Sequence, residues 1–128
     1  MVTIRDAFPG FSVDDIGAAR EFYGTKLGLP VDDDAMGALR VTLPSSQAVF
    51  IYPKPNHEPA TYTVLNFPVE SVDATVDKLA AAGVQMEHYD PEMGQDEKGI
   101  ARDPRGPVIA WFKDPAGNIL SVLEGSPD

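Results

Sequence analysis

Phe112-Lys113-Asp114-Pro115-Ala116-Gly117-Asn118 is the stretch whose reading decides the fold. Aspartate, proline and glycine are turn-forming residues, so the centre reads as a turn. Apolar, β-rich runs flank it, Val108 to Lys113 and Asn118 to Leu123, which together predict a hairpin. A similar pair, Leu39 to Leu43 and Ala48 to Tyr52, surrounds Pro44-Ser45-Ser46-Gln47, with its turn 70 residues earlier.

Upstream of each hairpin the order is again shared. Phe8 to Val13 reads as a strand, followed by Asp14 and Asp15 as N-cap residues and by Ile16, Ala19, Tyr23 and Leu27 at helical spacing, with Gly28 as the stop. Tyr62 to Val69 is a strand, Ser71 a cap, Val72, Val76, Leu79 and Ala80 a helical stripe, and Gly83 its stop. Val13-Asp14-Asp15-Ile16 falls on Val69-Glu70-Ser71-Val72 at an offset of 56, and the two stop glycines are 55 apart. A constant offset argues for a duplicated module. Asp32 to Asp34 reads as a turn-like acidic stretch. Three prolines, Pro53, Pro55 and Pro59, make the segment between the modules a linker. The larger offset of the hairpins places an extra polar loop within Glu87 to Pro107, either a lid or a surface excursion.

The 128 residues are 43% apolar and 23% charged, enough for a buried core, with no cysteine for a disulfide or thiolate site. Met1 to Pro9 lacks the apolar run of a signal peptide, and no stretch approaches the length that spans a bilayer. A soluble, cytoplasmic protein with no membrane partner is therefore expected. The net charge of −10 repels phosphate backbones and argues against nucleic acid, while favouring a cationic guest or simply a solvated surface.

Val13-Asp14-Asp15-Ile16 leading to Phe22-Tyr23 and Leu27-Gly28-Leu29, together with Phe112 to Asn118, resembles the pattern of the glyoxalase, bleomycin-resistance and extradiol-dioxygenase superfamily, the vicinal oxygen chelate fold. The resemblance spans essentially the whole chain. It implies one α+β domain over residues 1–128, made of two tandem βαβββ modules, about 1–53 and about 60–128, joined by the linker 53–59. Their strands would form an open cup-shaped mixed sheet with helices outside and a ligand pocket within, in a homodimer. It further implies a divalent metal held from four strand positions by histidine, glutamine or glutamate. Here those positions fall on Phe8, Ile51, Val64 and Ser121, so no metal and no other cofactor is expected. The two histidines, His57 in the linker and His88 beyond the second helix, lie off the expected cup strands. Glu124, near the end of the last strand, falls by alternation on the face opposite Ser121.

If those positions mark the inward face, pairing Leu43 with Ala48 sets Arg40 opposite Ile51, and pairing Lys113 with Asn118 sets Ala110 opposite Ser121. Phe8, Ile51, Val64 and Phe112 then form apolar walls, with Val49 and Ala110 beside them. The polar anchors are Ser12, Arg40, Thr42, Asn66 and Ser121. Arg40 either clamps a carboxylate with its donor fork or sits at the rim with its head in water. Asn66 either bonds a ligand or satisfies neighbouring backbone. Trp111 and Tyr52 fall on the opposite side, facing the helices or a subunit contact. The expected function is metal-independent binding of a small organic molecule in the cup. The alternatives are a lyase, isomerase or dioxygenase-type enzyme, for which the expected cup face holds no acid or base, and an interaction domain whose cup is filled by its own side chains.

Overall fold

A computed structural model describes residues 1–89 and 94–124. The chain divides into two compact units, Met1–Pro59 and Ala60–Asp128. No helix among the described residues is long and apolar enough to cross a membrane.

The first unit begins with β1 (Gly10–Val13) and α1 (Ile16–Arg20). Asp15 caps the helix, its carboxylate accepting from the Ala18 amide at 3.0 Å, as a short acidic side chain does at an N-terminus. Instead of continuing as a regular α-helix to Leu27, the chain widens into a π-helical turn over Glu21–Lys26, closed by a bond from the Leu27 amide to the Phe22 carbonyl. This turn carries the adjacent rings of Phe22 and Tyr23 into the core, 5.0 Å apart and edge to face. Then follow β2 (Val31–Asp33), a 3-10 turn (Ala35–Gly37), β3 (Leu39–Thr42) and β4 (Ala48–Pro53). The sheet order is β1-β4-β3-β2, with β1 parallel to β4 and the other pairs antiparallel.

The acidic stretch at Asp32 to Asp34 is a strand rather than a turn over its first two residues. Val31 to Asp33 pairs with Val41 to Leu39, and Asp34 then caps the 3-10 turn. An exposed edge strand tolerates such charge because water solvates its outer side. Pro53 likewise belongs to the end of β4, where a missing amide is harmless.

The second unit runs β5 (Thr63–Pro68), α2 (Val72–Ala81), β6 (Ile109–Lys113) and β7 (Ile119–Leu123), in the sheet order β5-β7-β6. It repeats the parallel outer pair and the hairpin of the first unit. Where β2 would recur, only isolated bridges form along β6 among the described residues, Met86 with Phe112 and Ala101 with Ile109. The described part of the polar insertion is nonetheless anchored, since Ile100 is fully buried and the Gln95 amide donates to the carbonyls of Glu87 and Gly99. Residues 90–93 of that loop lie outside the described residues.

Both hairpins close one residue earlier than four-residue turns would. Leu43 bonds Gln47 and Asp114 bonds Asn118, leaving three-residue loops whose last residues, Ser46 and Gly117, take φ of 76° and 87°. The pairing is therefore Thr42 with Ala48 and Arg40 with Phe50 in the first hairpin, Lys113 with Ile119 and Trp111 with Ser121 in the second. A slip of one residue exchanges the faces of one strand relative to its neighbour. Leu39, Val41, Val49 and Ile51 thus share the buried face of the first sheet, toward which Phe11 and Tyr23 also pack, and Ala110, Phe112, Leu120 and Val122 share that of the second.

The second turn is locked by side chains. Asp114 accepts from the amides of Ala116 and Asn118 and from the Asn118 side-chain amide, each at 2.9 Å, and both residues are under 5% exposed. Replacing Asn118 with alanine removes a charge-assisted bond from a buried carboxylate. The expected loss is about 1.5–3 kcal/mol, read as a lowered urea midpoint at unchanged slope.

Candidate functional site

The sheet face away from the core of the first unit is built by β1, β4 and β3 together. Gly10 lies beside Phe50 and Ser12 beside Tyr52 in the parallel pair, and Arg40 lies across Phe50 in the antiparallel one. Phe8, just ahead of β1, meets Phe50 edge to face at 6.1 Å, and Phe50 stacks on Tyr52 at 5.9 Å. A strip of three aromatic rings therefore crosses this face, flanked by the Arg40 guanidinium and by the Ser12 hydroxyl. Phe8, Arg40 and Phe50 line a cavity of about 680 Å³ with Asp6, Asp34 and the Ser45 to Ala48 turn. That volume suits a small organic ligand.

Of the expected site residues, Phe8, Ser12, Arg40 and Thr42 do share this face. Ile51 does not. It is fully buried on the opposite face, and Phe50 with Tyr52 takes its place, so the expected assignment of Tyr52 to the side away from the site is also corrected. The Arg40 side chain is half exposed, with its Nε 3.9 Å from an Asp34 carboxylate oxygen. At that length the contact is an ion pair without a short hydrogen bond.

His57 is the residue that sequence reasoning set aside. Its Nδ1 lies 2.6 Å from the Ser12 hydroxyl. The proline-rich segment delivers it there through a tight turn, in which the His57 amide donates to the Lys54 carbonyl while the Lys54 amide donates to Val13 at the end of β1. Pro55 at the second position of that turn and Asn56 at the third are the signal that was available.

In the second unit Asn66 and Trp111 flank Ser121 on one face. Ser121 is fully buried and donates to the Asn66 side-chain carbonyl at 2.6 Å, which satisfies its buried hydroxyl. Val64 is the extra residue of a bulge between Thr63 and Leu65. Phe112, like Ile51, is fully buried on the core face, and Ala110 with it. Trp111, expected on the opposite side, instead shares the face of Ser121 and meets Tyr89 edge to face at 5.5 Å. Burial, with the Glu87 carboxylate nearby, raises the Tyr89 phenol above its ordinary value. A shallower cavity of about 470 Å³ lies by Trp111 and Ile109, bordered by Asp103 and Arg105. Hydrogen bonds from Arg105 hold the Asp103 carboxyl down at about 2.

A divalent metal does not fit the four positions the resemblance implies. Phe8, Ile51 and Val64 offer hydrocarbon, Phe50 on the corrected face does no better, and a lone serine is a poor donor. Glu124 is engaged elsewhere, for its carboxylate accepts from the Val72 amide at 2.7 Å and caps α2 alongside Ser71. Among the described residues no group of three histidine, aspartate or glutamate side chains is placed to hold a metal.

The fold has many solved counterparts. The genomically encoded fosfomycin resistance protein of Listeria monocytogenes superposes with a TM-score of 0.73 at 15% identity, covering 98% of this chain and 96% of its own. Lactoylglutathione lyase from Agrobacterium tumefaciens gives 0.67 at 22% identity, with 96% of each chain covered. A member of the glyoxalase/bleomycin resistance protein/dioxygenase superfamily from Sphaerobacter thermophilus gives 0.69 at 21%, covering 94% of this chain and 98% of its own. At these identities the likeness is one of fold. No curated protein sequence matches the chain. The sequence profile of the Glyoxalase/Bleomycin resistance protein/Dioxygenase superfamily, however, matches residues 7–122, nearly the whole chain, and the chain belongs to that superfamily.

Proposed function

We propose that this chain is a metal-independent binding protein for a small aromatic organic acid, held on the open face of the first sheet. One observation carries the reading: the hairpin register sets Arg40 directly across from Phe50, so a cation and an aromatic platform border one cavity. Phe8 and Phe50 offer ring faces and edges to a planar guest. The Arg40 fork then pairs with its carboxylate, exchanging a 3.9 Å contact to Asp34 for short charge-assisted bonds.

A cationic aromatic guest is the second reading. Asp6 and Asp34 border the same cavity, and the net charge of −10 draws cations. Calorimetric titration against a panel of aromatic acids and aromatic amines separates the two. Arg40→Ala is expected to weaken an aromatic acid by about 1.5–3 kcal/mol, with fold stability changed by less than about 0.5 kcal/mol. Saturable binding of amines alone, untouched by Arg40→Ala, selects the second reading, and binding by neither class removes both.

Two companion proposals follow from family membership and from the donor set. The protein holds no stoichiometric metal, because Phe8, Phe50, Val64 and Ser121 cannot retain one. Elemental analysis after dialysis is expected to find none, and one equivalent of zinc, nickel, manganese or iron would overturn the reading. The chain also pairs as a homodimer, supported by exposed apolar side chains outside the cavity, such as Ile4 and Tyr62, that a second copy would shield. Light scattering at micromolar concentration is expected to give twice the monomer mass.

A further inference from the structure

The Ser12 hydroxyl and the His57 imidazole meet the first geometric requirement of nucleophilic catalysis, a nucleophile and a base at 2.6 Å. Both are half-buried, so the pair is held in place yet open to a small reagent. Neither partner sits on a loose segment. Ser12 belongs to β1, which is laddered to β4, and His57 closes the Lys54–His57 turn, itself bonded back to Val13. Inside that turn the Lys54 ammonium donates to the Asn56 side chain at 2.7 Å, a further brace. Such rigidity is what a reacting pair needs, since looseness of about an ångström forfeits the alignment.

We propose that Ser12 and His57 form a nucleophile and base pair that accepts an acyl group from small activated carboxylic esters. In the Nε2–H tautomer the serine hydroxyl donates to Nδ1. Ser12 Oγ adds to the ester carbonyl carbon as its proton passes to Nδ1. The tetrahedral adduct then expels the alkoxide, which takes the proton from Nδ1, leaving an acyl ester on Ser12. Water attacks that ester, gives a proton to Nδ1, and the acid departs as Oγ recovers it. No oxidant, metal or further reactant enters. The aromatic strip of Phe50 and Tyr52, whose members lie beside Gly10 and Ser12 in the parallel ladder, leads an aryl ester to the hydroxyl.

The proposal shares a sheet face with the binding reading but does not require Arg40, so the two fail separately. The full chain is mixed with p-nitrophenyl acetate, and p-nitrophenolate release is followed together with intact mass and peptide mapping. The expected result is a burst close to one equivalent with acetyl mapped to Ser12, reduced about 100-fold by Ser12→Ala and comparably by His57→Gln. His88→Gln, which alters the other histidine, is expected to leave the burst unchanged. Ser12→Cys gives a second measurement, because the chain has no cysteine of its own. Its alkylation by iodoacetamide is expected to fall about tenfold when His57→Gln is added, as a thiol losing its base does. No burst, acetylation elsewhere, or an alkylation rate indifferent to His57 overturns the proposal and leaves His57 as a tether for the proline-rich segment. Acetylation of Ser12 in a protein that binds no aromatic acid removes the binding reading alone.

Discussion

Two three-residue turns set which side chains β3 and β4, and β6 and β7, present on each face of their sheets. Each closes on a backbone pair and returns through a residue with left-handed backbone, Ser46 in one and Gly117 in the other. A turn of one residue more would put Ile51 across from Arg40 and Ala110 across from Ser121. The observed turns put Phe50 and Trp111 there. Burial then follows without further specification, because Leu39, Val41, Val49 and Ile51 all fall on one side and need a helix to cover them. The second turn is the better protected of the two. Its aspartate and asparagine are buried and satisfy one another, whereas the residues of the first turn between Pro44 and Gln47 are exposed.

The duplication visible in the sequence becomes a correspondence of side chains once the register is known. Phe50 sits between Gly10 and Arg40, and Ser121 sits between Asn66 and Trp111. The same scaffold position thus carries a bare glycine and a cation in one unit, an amide and an indole in the other. In the second unit the polar groups close on themselves through the 2.6 Å bond from Ser121 to Asn66, which costs a guest its hydrogen bonds unless it displaces one of them. In the first unit the central residue is a ring with nothing polar to satisfy. Chemistry has diverged where geometry has not, which is how one fold serves unrelated tasks.

Element type and order were legible because they rest on local signals. Asp15 and Ser71 cap the helices expected of them, both hairpins lie where the apolar runs placed them, and the family pattern held over nearly the whole chain. What failed depended on single residues. The acidic run at Asp32 carries no β signal of its own, and pairs only because Val31 and Val41 meet across an exposed edge. The faces of Ile51 and Phe112 turned on loop length, which Pro44-Ser45-Ser46-Gln47 leaves open between three and four residues. Asp114-Pro115-Ala116-Gly117-Asn118 was more informative, since glycine at the third loop position favours the shorter turn. His57 lies off the strands as expected, but Pro55-Asn56 in the proline-rich segment is itself a turn that folds the imidazole back onto β1, a contact that strand parity does not reveal.

On the binding proposed for the first sheet, electrostatics narrow the choice of guest. Arg102, Lys98 and Arg105 each place a nitrogen within 3.0 Å of an aspartate oxygen, and Arg20 is equally engaged with Asp33. Arg40 is held more loosely, at 3.9 Å from Asp34. A guest carboxylate therefore displaces little when it approaches that guanidinium, and gains the short bonds the native contact lacks. Asp34 and Asp6 remain beside it, however, so each further negative charge on the guest is repelled within a few ångströms, where water screens least. A single carboxylate attached to a flat apolar body satisfies both conditions. A dianion or a phosphate monoester satisfies the first and violates the second, so on the proposed reading the two aspartates beside Arg40 set an upper limit on the charge of the guest.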